Sequence, residues 1–401
     1  MVVGAGAAGS MAAIFAARSG SQTILLERTR DGGRKILISG GGRCNVLPSR
    51  LDISRFVTDS SPHLMRRIIR AWPLPEQIAF FETELGLPLV EETESSKLFP
   101  ASHKARDVRD GLLALARRSG VDVQTGSLVT GISRRVPGWR VEREGALPLD
   151  ADRIVMATGG LSVPNTGSDG AGLGMLGALG LTIHPTYAAL TPLVAEPAPF
   201  GNLAGISLPV TITARAGRRE ARATGGFLFT HRGYSGPAVL DVSHVAVRSR
   251  DEGGEPARIT VQWTPLRDAE WEQALQADGN RSVARALSLE LPDRLATALL
   301  AAAGVEPGRT LAQLRRGERH QLIETLVRGV LPWTGHEGYK KAEVTGGGVS
   351  LTEIDPVTME SRKQAGLYIC GEALDAFGPI GGYNFLWAWA TGRAAGLAAG
   401  R

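Results

Sequence analysis

Gly4, Gly6 and Gly9 stand between a short apolar run, Met1 to Val3, and a small-residue stretch, Ser10 to Ala17, with helical character. This is G-x-G-x-x-G in a strand–turn–helix setting. Gly4 makes the turn, Gly6 lets the backbone approach a pyrophosphate, and Gly9 lets the helix close on the strand. Ala7 and Ala8, in the first helical turn, present free N–H groups and the positive end of the helix dipole to the same anion. Thr23 to Leu26 reads as the next strand and ends in Glu27, an acid placed to accept from ribose hydroxyls, with Arg28 beside it. The glycine spacing alone is weak. Together with strand, helix and acid it specifies a dinucleotide-binding α/β domain. First strands usually run about five residues, so three residues before Gly4 suggest a start further upstream.

Gly172, Gly174 and Gly177 repeat the spacing, but the residues before them, Pro164 to Asp169, read as a loop. We therefore expect a glycine turn opening a helix there, not a second nucleotide site. Three other segments suit close approach to a bulky ligand. Ser39, Gly40, Gly41 and Gly42 form a glycine run flanked by Arg34, Lys35, Arg43 and Asn45, able to wrap a phosphate or sugar with backbone N–H groups. A buried strand, Arg153 to Ala157, runs into the turn Thr158-Gly159-Gly160. Near the end, Leu367 to Cys370 reads as a strand leading to Gly371 and Glu372. A loop with Asp375 follows, then Gly381, Gly382, Tyr383, Asn384 and Phe385 open a small-residue helix. Val129, within a strand or hairpin over Val121 to Ile132, joins the expected contact positions. The 51 glycines among 401 residues fit this demand for close backbone approach.

The length calls for more than one domain. Residues 62–86 read as two helices separated by Pro73 and Pro75, and 104–118 as another. From about residue 188 the pattern changes. We expect an inserted domain over 188–340, β-rich over 188–265, including Gly225 to Ser243, and helical over 266–335. The 45 Lys and Arg barely exceed the 40 Asp and Glu, giving a net charge of +5 with no long basic run. That balance fits a solvated surface, with a phosphate-bearing or nucleic-acid substrate as the other reading. Two distant cysteines and no C-x-x-C pair fit a reducing, cytoplasmic setting. Residues 1–17 lack side-chain charge, but glycines interrupt them and no basic segment precedes them, so we expect neither a signal peptide nor a membrane span. No His, Cys or carboxylate group has metal-ligand spacing, so no metal is expected. The oligomeric state is not legible.

Taken together, these blocks resemble one family, the bacterial FAD-dependent flavoproteins of the aminoacetone-oxidase or BaiN-like type. The resemblance rests on the first glycine fingerprint and on Gly33 to Ile36 with Ser39 to Asn45. It continues through Leu98-Phe99-Pro100, Phe229 to Pro237, Val344 to Val349, Thr358 to Ser361 and the closing Gly371 to Asn384. It implies a Rossmann-like FAD-binding domain of the glutathione-reductase type over 1–187 and 341–401. In enzymes of that type an acid at the position of Glu372 bonds the ribityl chain. The following helix aims its first N–H groups, here near Asn384 and Phe385, at the flavin pyrimidine edge. The activities implied are flavin-dependent reduction of unsaturated substrates, oxidation of a small aminoketone, and formation of dihydrouridine in ribosomal RNA. The inserted half is richer in Arg and Ala than in typical members. A small organic substrate is the leading expectation, with NADH or NADPH as transient donor. An RNA-modifying enzyme and a non-catalytic flavin binder are the alternatives. Candidate acids and contacts are Tyr383, His231, Cys44, Lys340 and Lys341.

Overall fold

The computed structural model describes residues 1–93, 95–276 and 280–401. It divides into two compact units, Met1–Ala188 with Glu343–Arg401, and Ala189–Ala342.

The first unit is built on a five-stranded sheet. Val2–Val3 is central, with Ile24–Glu27 and then Asp122–Thr125 on one side, Ile154–Met156 and then Leu367–Ile369 on the other. Every pairing is parallel. Val2, Leu25, Leu26, Ile154, Val155, Leu367 and Ile369 are all buried, the continuous apolar pattern of a parallel sheet covered on both faces. This is the Rossmann-like α/β architecture expected from the sequence. The helix after the first strand, Ala7–Arg18, packs along the last helix, Tyr383–Ala399. The contact is backbone on backbone. An added Cβ at Gly392 would lie 2.3 Å from the Ala8 carbonyl oxygen, and one at Gly396 2.3 Å from that of Ala12. Only glycine on one helix facing alanine on the other permits that approach.

The segment Val121 to Ile132 is not one element. Asp122–Thr125 joins the parallel sheet, while Val129–Arg134 begins a separate antiparallel sheet with Trp139–Arg143 and Ala146–Ala151. Gly126, at φ +68°, breaks the two apart, and its N–H is taken by the Thr29 carbonyl. A further small sheet joins Leu47–Pro48, Lys97–Pro100 and Leu89–Glu92. Helices at Pro62–Arg70, Leu74–Ala79, Ala105–Arg118 and Ala171–Ala178 belong to the same unit.

The second unit carries a seven-stranded antiparallel sheet. Its long members are Ser207–Ala216 and Arg219–Phe229. The β-rich reading through Ser243 needs correction, because Pro237–Asp251 is a helix. Gly236, at φ +95°, ends the preceding strand and Pro237 suits a first helical position. Val239, Val242, Val245 and Ala246 then recur at helical spacing and are buried. Helices Asp268–Ala274, Val283–Leu287, Asp293–Ala302 and Arg316–Arg328 follow. Some of their arginines are matched by acids, as in Arg319–Glu272 at 3.2 Å and Arg328–Glu324 at 2.5 Å. Among the described residues no helix is long and apolar enough to cross a membrane.

Candidate functional site

A cleft opens in the first unit where the parallel strands end. Gly4, at φ +101°, sits so close to the Ala157 carbonyl that an added Cβ would lie 2.6 Å from its oxygen. A Cβ on Gly9 would lie 1.8 Å from the Gly4 carbonyl oxygen. Gly6 differs. It caps the helix Ala7–Arg18 with no side-chain hydrogen bond, and no atom occupies the space its Cβ would enter. The helix has no acid in its first turn. Its first N–H groups therefore face an open, positively polarised space that suits an anion. Glu27 is the organising acid at this end. Its carboxylate accepts from the backbone of Ala5 at 2.8 Å, and from the backbone and hydroxyl of Thr29 at 2.8 and 2.7 Å. Beside it, Arg28 pairs with Asp169 at 2.5 Å.

The other end of the cleft lies at Gly371 and Glu372, after the outermost strand on the opposite side of Val2–Val3. Three strand spacings separate it from Glu27, about 14 Å. Lys35 reaches Glu372 at 2.5 Å and the Ser162 hydroxyl at 2.5 Å. The second carboxylate oxygen of Glu372 accepts from the Thr345 N–H at 2.9 Å and from Ser162. Glu372 is thus engaged by the chain's own groups, and a cation neutralises it.

Three side-chain atoms in the cleft wall are buried without a hydrogen-bond partner: Asn45 Oδ1, Ser127 Oγ and Thr158 Oγ1. Unmade hydrogen bonds of this kind cost about 1–3 kcal/mol each, and three along one cleft mark where a polar ligand belongs. The open cradle at Gly6, the acid at Glu27 and the span between the two ends fit an extended dinucleotide such as FAD.

Most of the positions predicted to contact a cofactor line this cleft. They are Gly4, Gly6, Ala7, Ala8, Glu27, Arg28, Arg34, Lys35, Ser39, Gly40, Asn45, Val129, Thr158, Gly159, Gly371, Glu372, Gly381, Gly382, Asn384 and Phe385. Others do not. Gly9 and Gly160 serve packing, the latter against the Thr345 side chain. Gly41 is exposed. Arg43 stacks over Phe99 at 4.2 Å and pairs with Glu92 at 2.9 Å. Asp375 is buried, and it accepts from the Ser60 backbone and hydroxyl at 2.7 Å and from the Thr58 hydroxyl at 3.0 Å. Burial raises its carboxyl above the usual range.

The expected acids fall outside the cleft wall. The Tyr383 hydroxyl donates to the Arg50 carbonyl and accepts from the Asp52 N–H, each at 3.3 Å, so it anchors a loop. Cys44 is buried, and burial pushes its thiol up to about 12, so it stays protonated at neutral pH. His231, Lys340 and Lys341 belong to the second unit and are exposed there. The structure also adds residues that pattern did not reveal. Ser127, the loop Gly167 to Asp169, Gly172 and Phe377 all line the cleft. Gly172 carries a signal in hindsight: a Cβ there would lie 1.9 Å from Thr158 Oγ1, so the second glycine triplet seats its helix against the Thr158 turn.

Over residues 1–398 the chain matches the HI0933-like protein Rossmann domain. It belongs to the HI0933-like family. This HI0933-like chain is 34% identical over 400 residues to the ribosomal RNA dihydrouridine synthase of Escherichia coli (strain K12), covering 98% of this chain and 95% of that one. It is 32% identical over 406 residues to the 3-dehydro-bile acid Δ(4,6)-reductase of Clostridium scindens, covering 99% and 98%. Among solved structures, the 3-ketosteroid Δ1-dehydrogenase of Sterolibacterium denitrificans aligns with a TM-score of 0.55 at 12% identity, over 100% of this chain and 98% of that one. A flavocytochrome c3 fumarate reductase aligns at 0.50 and 16% identity, over 100% and 77%. Those two likenesses concern the fold. The HI0933-like chain is an FAD-dependent oxidoreductase.

Proposed function

We propose that this protein reduces an electron-poor carbon–carbon double bond, conjugated to a carbonyl, in a small organic substrate, with NADH or NADPH as the transient hydride donor. When bound, FAD supplies the hydride chemistry. The chain's own residues bind and orient it. The helix beginning at Ala7 receives the pyrophosphate, Glu27 fixes the turn around the ribose, and Lys35 keeps Glu372 neutralised at the reacting end. A conjugated carbonyl is the substrate feature that lets a carbon accept hydride, because it takes up the resulting charge. The observation that carries this reading is the cleft itself, with its unpartnered Asn45, Ser127 and Thr158 atoms. It is supported by the identity, over 99% of the chain, to a relative named as a reductase of an unsaturated bile acid.

The second reading is reduction of uridine in ribosomal RNA, favoured by the Escherichia coli relative's name. Against it stand Arg319 and Arg328 of the second unit's helices, which are committed to acids.

One experiment separates these. The purified flavoprotein is reduced anaerobically with NADH or NADPH, then mixed with a cyclic enone, a steroid dienone or ribosomal RNA. Reoxidation by an enone supports the proposal. Reoxidation by RNA alone moves the assignment to the second reading. A flavin that neither nucleotide bleaches, or that only oxygen reoxidises, overturns both.

A further inference from the structure

The geometry points to Lys97 as the residue that sets the electrostatic potential at the reacting end of the cleft. Lys97 begins the strand Lys97–Pro100, whose ladder pairs it with Pro48 on one side and Glu92 on the other. The Gly381–Gly382 turn is pressed onto the same ladder. An added Cβ at Gly382 would lie 2.4 Å from the Leu47 carbonyl carbon. One at Gly381 would meet the Lys97 side chain, with Cγ and Cε each at 3.5 Å. The lysine stem therefore lies flat along Gly381, and its ammonium ends beside a turn that lines the cleft.

Glu92 feels the Lys97 charge through space, yet it makes its hydrogen bonds elsewhere. Glu92, across the ladder, has its carboxylate occupied by Arg43 at 2.9 Å and the Ser95 hydroxyl at 2.5 Å. Among the described residues no hydrogen bond or ion pair takes up the Lys97 ammonium. Gly382 also caps the helix Tyr383–Ala399, which has no acid in its first turn. The positive charge of Lys97 thus adds to the positive end of a helix dipole at the Gly381–Gly382 turn. Such a field favours the electron-rich state of a flavin whose ring lies against this turn, and it acts before any substrate arrives. Lys97 acts through space and is a tuning residue, not a catalytic one.

The test uses the FAD-loaded protein without substrate. Sulfite adds its lone pair to oxidised flavin N5, bleaches the visible band and leaves negative charge on the pyrimidine edge, so its affinity reads the local potential. Lys97→Met and Lys97→Gln are expected to weaken sulfite binding about tenfold or more and to lower the flavin reduction potential, whereas Lys97→Arg stays within about threefold. Unchanged sulfite affinity and potential in both neutral variants would overturn the proposal. So would loss of FAD from both neutral variants with retention in the arginine variant, since the lysine would then hold the cofactor and not tune it.

Discussion

Gly6 and Gly174 share one property: neither has an atom within 4 Å of where a Cβ would stand. The reasons differ. Gly174 lies within the helix Ala171–Ala178, away from the wall of the cleft, and Gly6 faces the space a pyrophosphate needs. Gly174→Ala is expected to raise stability by about 0.5–1 kcal/mol through helix propensity, with FAD affinity unchanged. Gly6→Ala is expected to leave the fold intact and weaken FAD binding. Thermal melts and flavin-fluorescence titrations of the two variants check both halves, and equal FAD affinity in both would sink the reading of Gly6. Glu27→Gln tests the acid. Losing charge-assisted hydrogen bonds worth about 1.5–3 kcal/mol should weaken FAD roughly tenfold to a hundredfold in the same titration. Cys44 makes a pH prediction. Its folded-state thiol is raised from 9.0 to about 12, so the native state holds that proton more tightly than the unfolded chain does. The contribution is fully present below about pH 9 and is lost as pH rises from there toward 12, at up to about 1.4 kcal/mol per pH unit. Urea midpoints at pH 8 and pH 10 should show the fall, and Cys44→Ala should shrink it.

At the scale of elements, the most informative contact is the one between the first and last helices. Gly396→Ala places a methyl 2.3 Å from the Ala12 carbonyl oxygen, and the helices must part to admit it. We expect a loss of about 2 kcal/mol or more, opposite in sign to Gly174→Ala, read from the denaturation midpoint. The sequence made the strand and helix flanking the first fingerprint legible because their spacing is local. It also showed the helices near 62–86 and 104–118, whose apolar residues recur at helical intervals. It concealed the helix Pro237–Asp251, whose Val-rich composition imitates a strand until the periodicity is counted. It also concealed the break at Gly126, a single left-handed residue that reassigns its neighbours to two sheets.

For the whole molecule, the parallel-sheet fold was legible because glycine spacing, apolar strands and a returning C-terminal segment all agree on it. Of the cleft, the residues carried by glycine turns were legible, and those brought in by tertiary packing were not. Ser127 stands in no motif, and Phe377 lies in the closing block without a glycine or acid to mark it; both reach the wall through tertiary packing. Of the expected acids, Tyr383 and Cys44 lie in this unit but outside the cleft wall. Tyr383 stands beside residues that line it, yet faces the opposite way, toward Arg50 and Asp52.

The pairing of Ala8 and Ala12 with Gly392 and Gly396 also bears on the order in which the chain is made. A ribosome adding about 5–20 residues per second exposes the alanine face of the first helix before the second unit and supplies the glycine face after it. The outermost sheet strand, Leu367–Ile369, is equally late. Residues 189–342, by contrast, are contiguous and carry every strand of their own sheet, so they can organise while synthesis continues. The nucleotide-binding unit is thus completed after its insert, since the strand Leu367–Ile369 and the helix Tyr383–Ala399 both follow it in the chain.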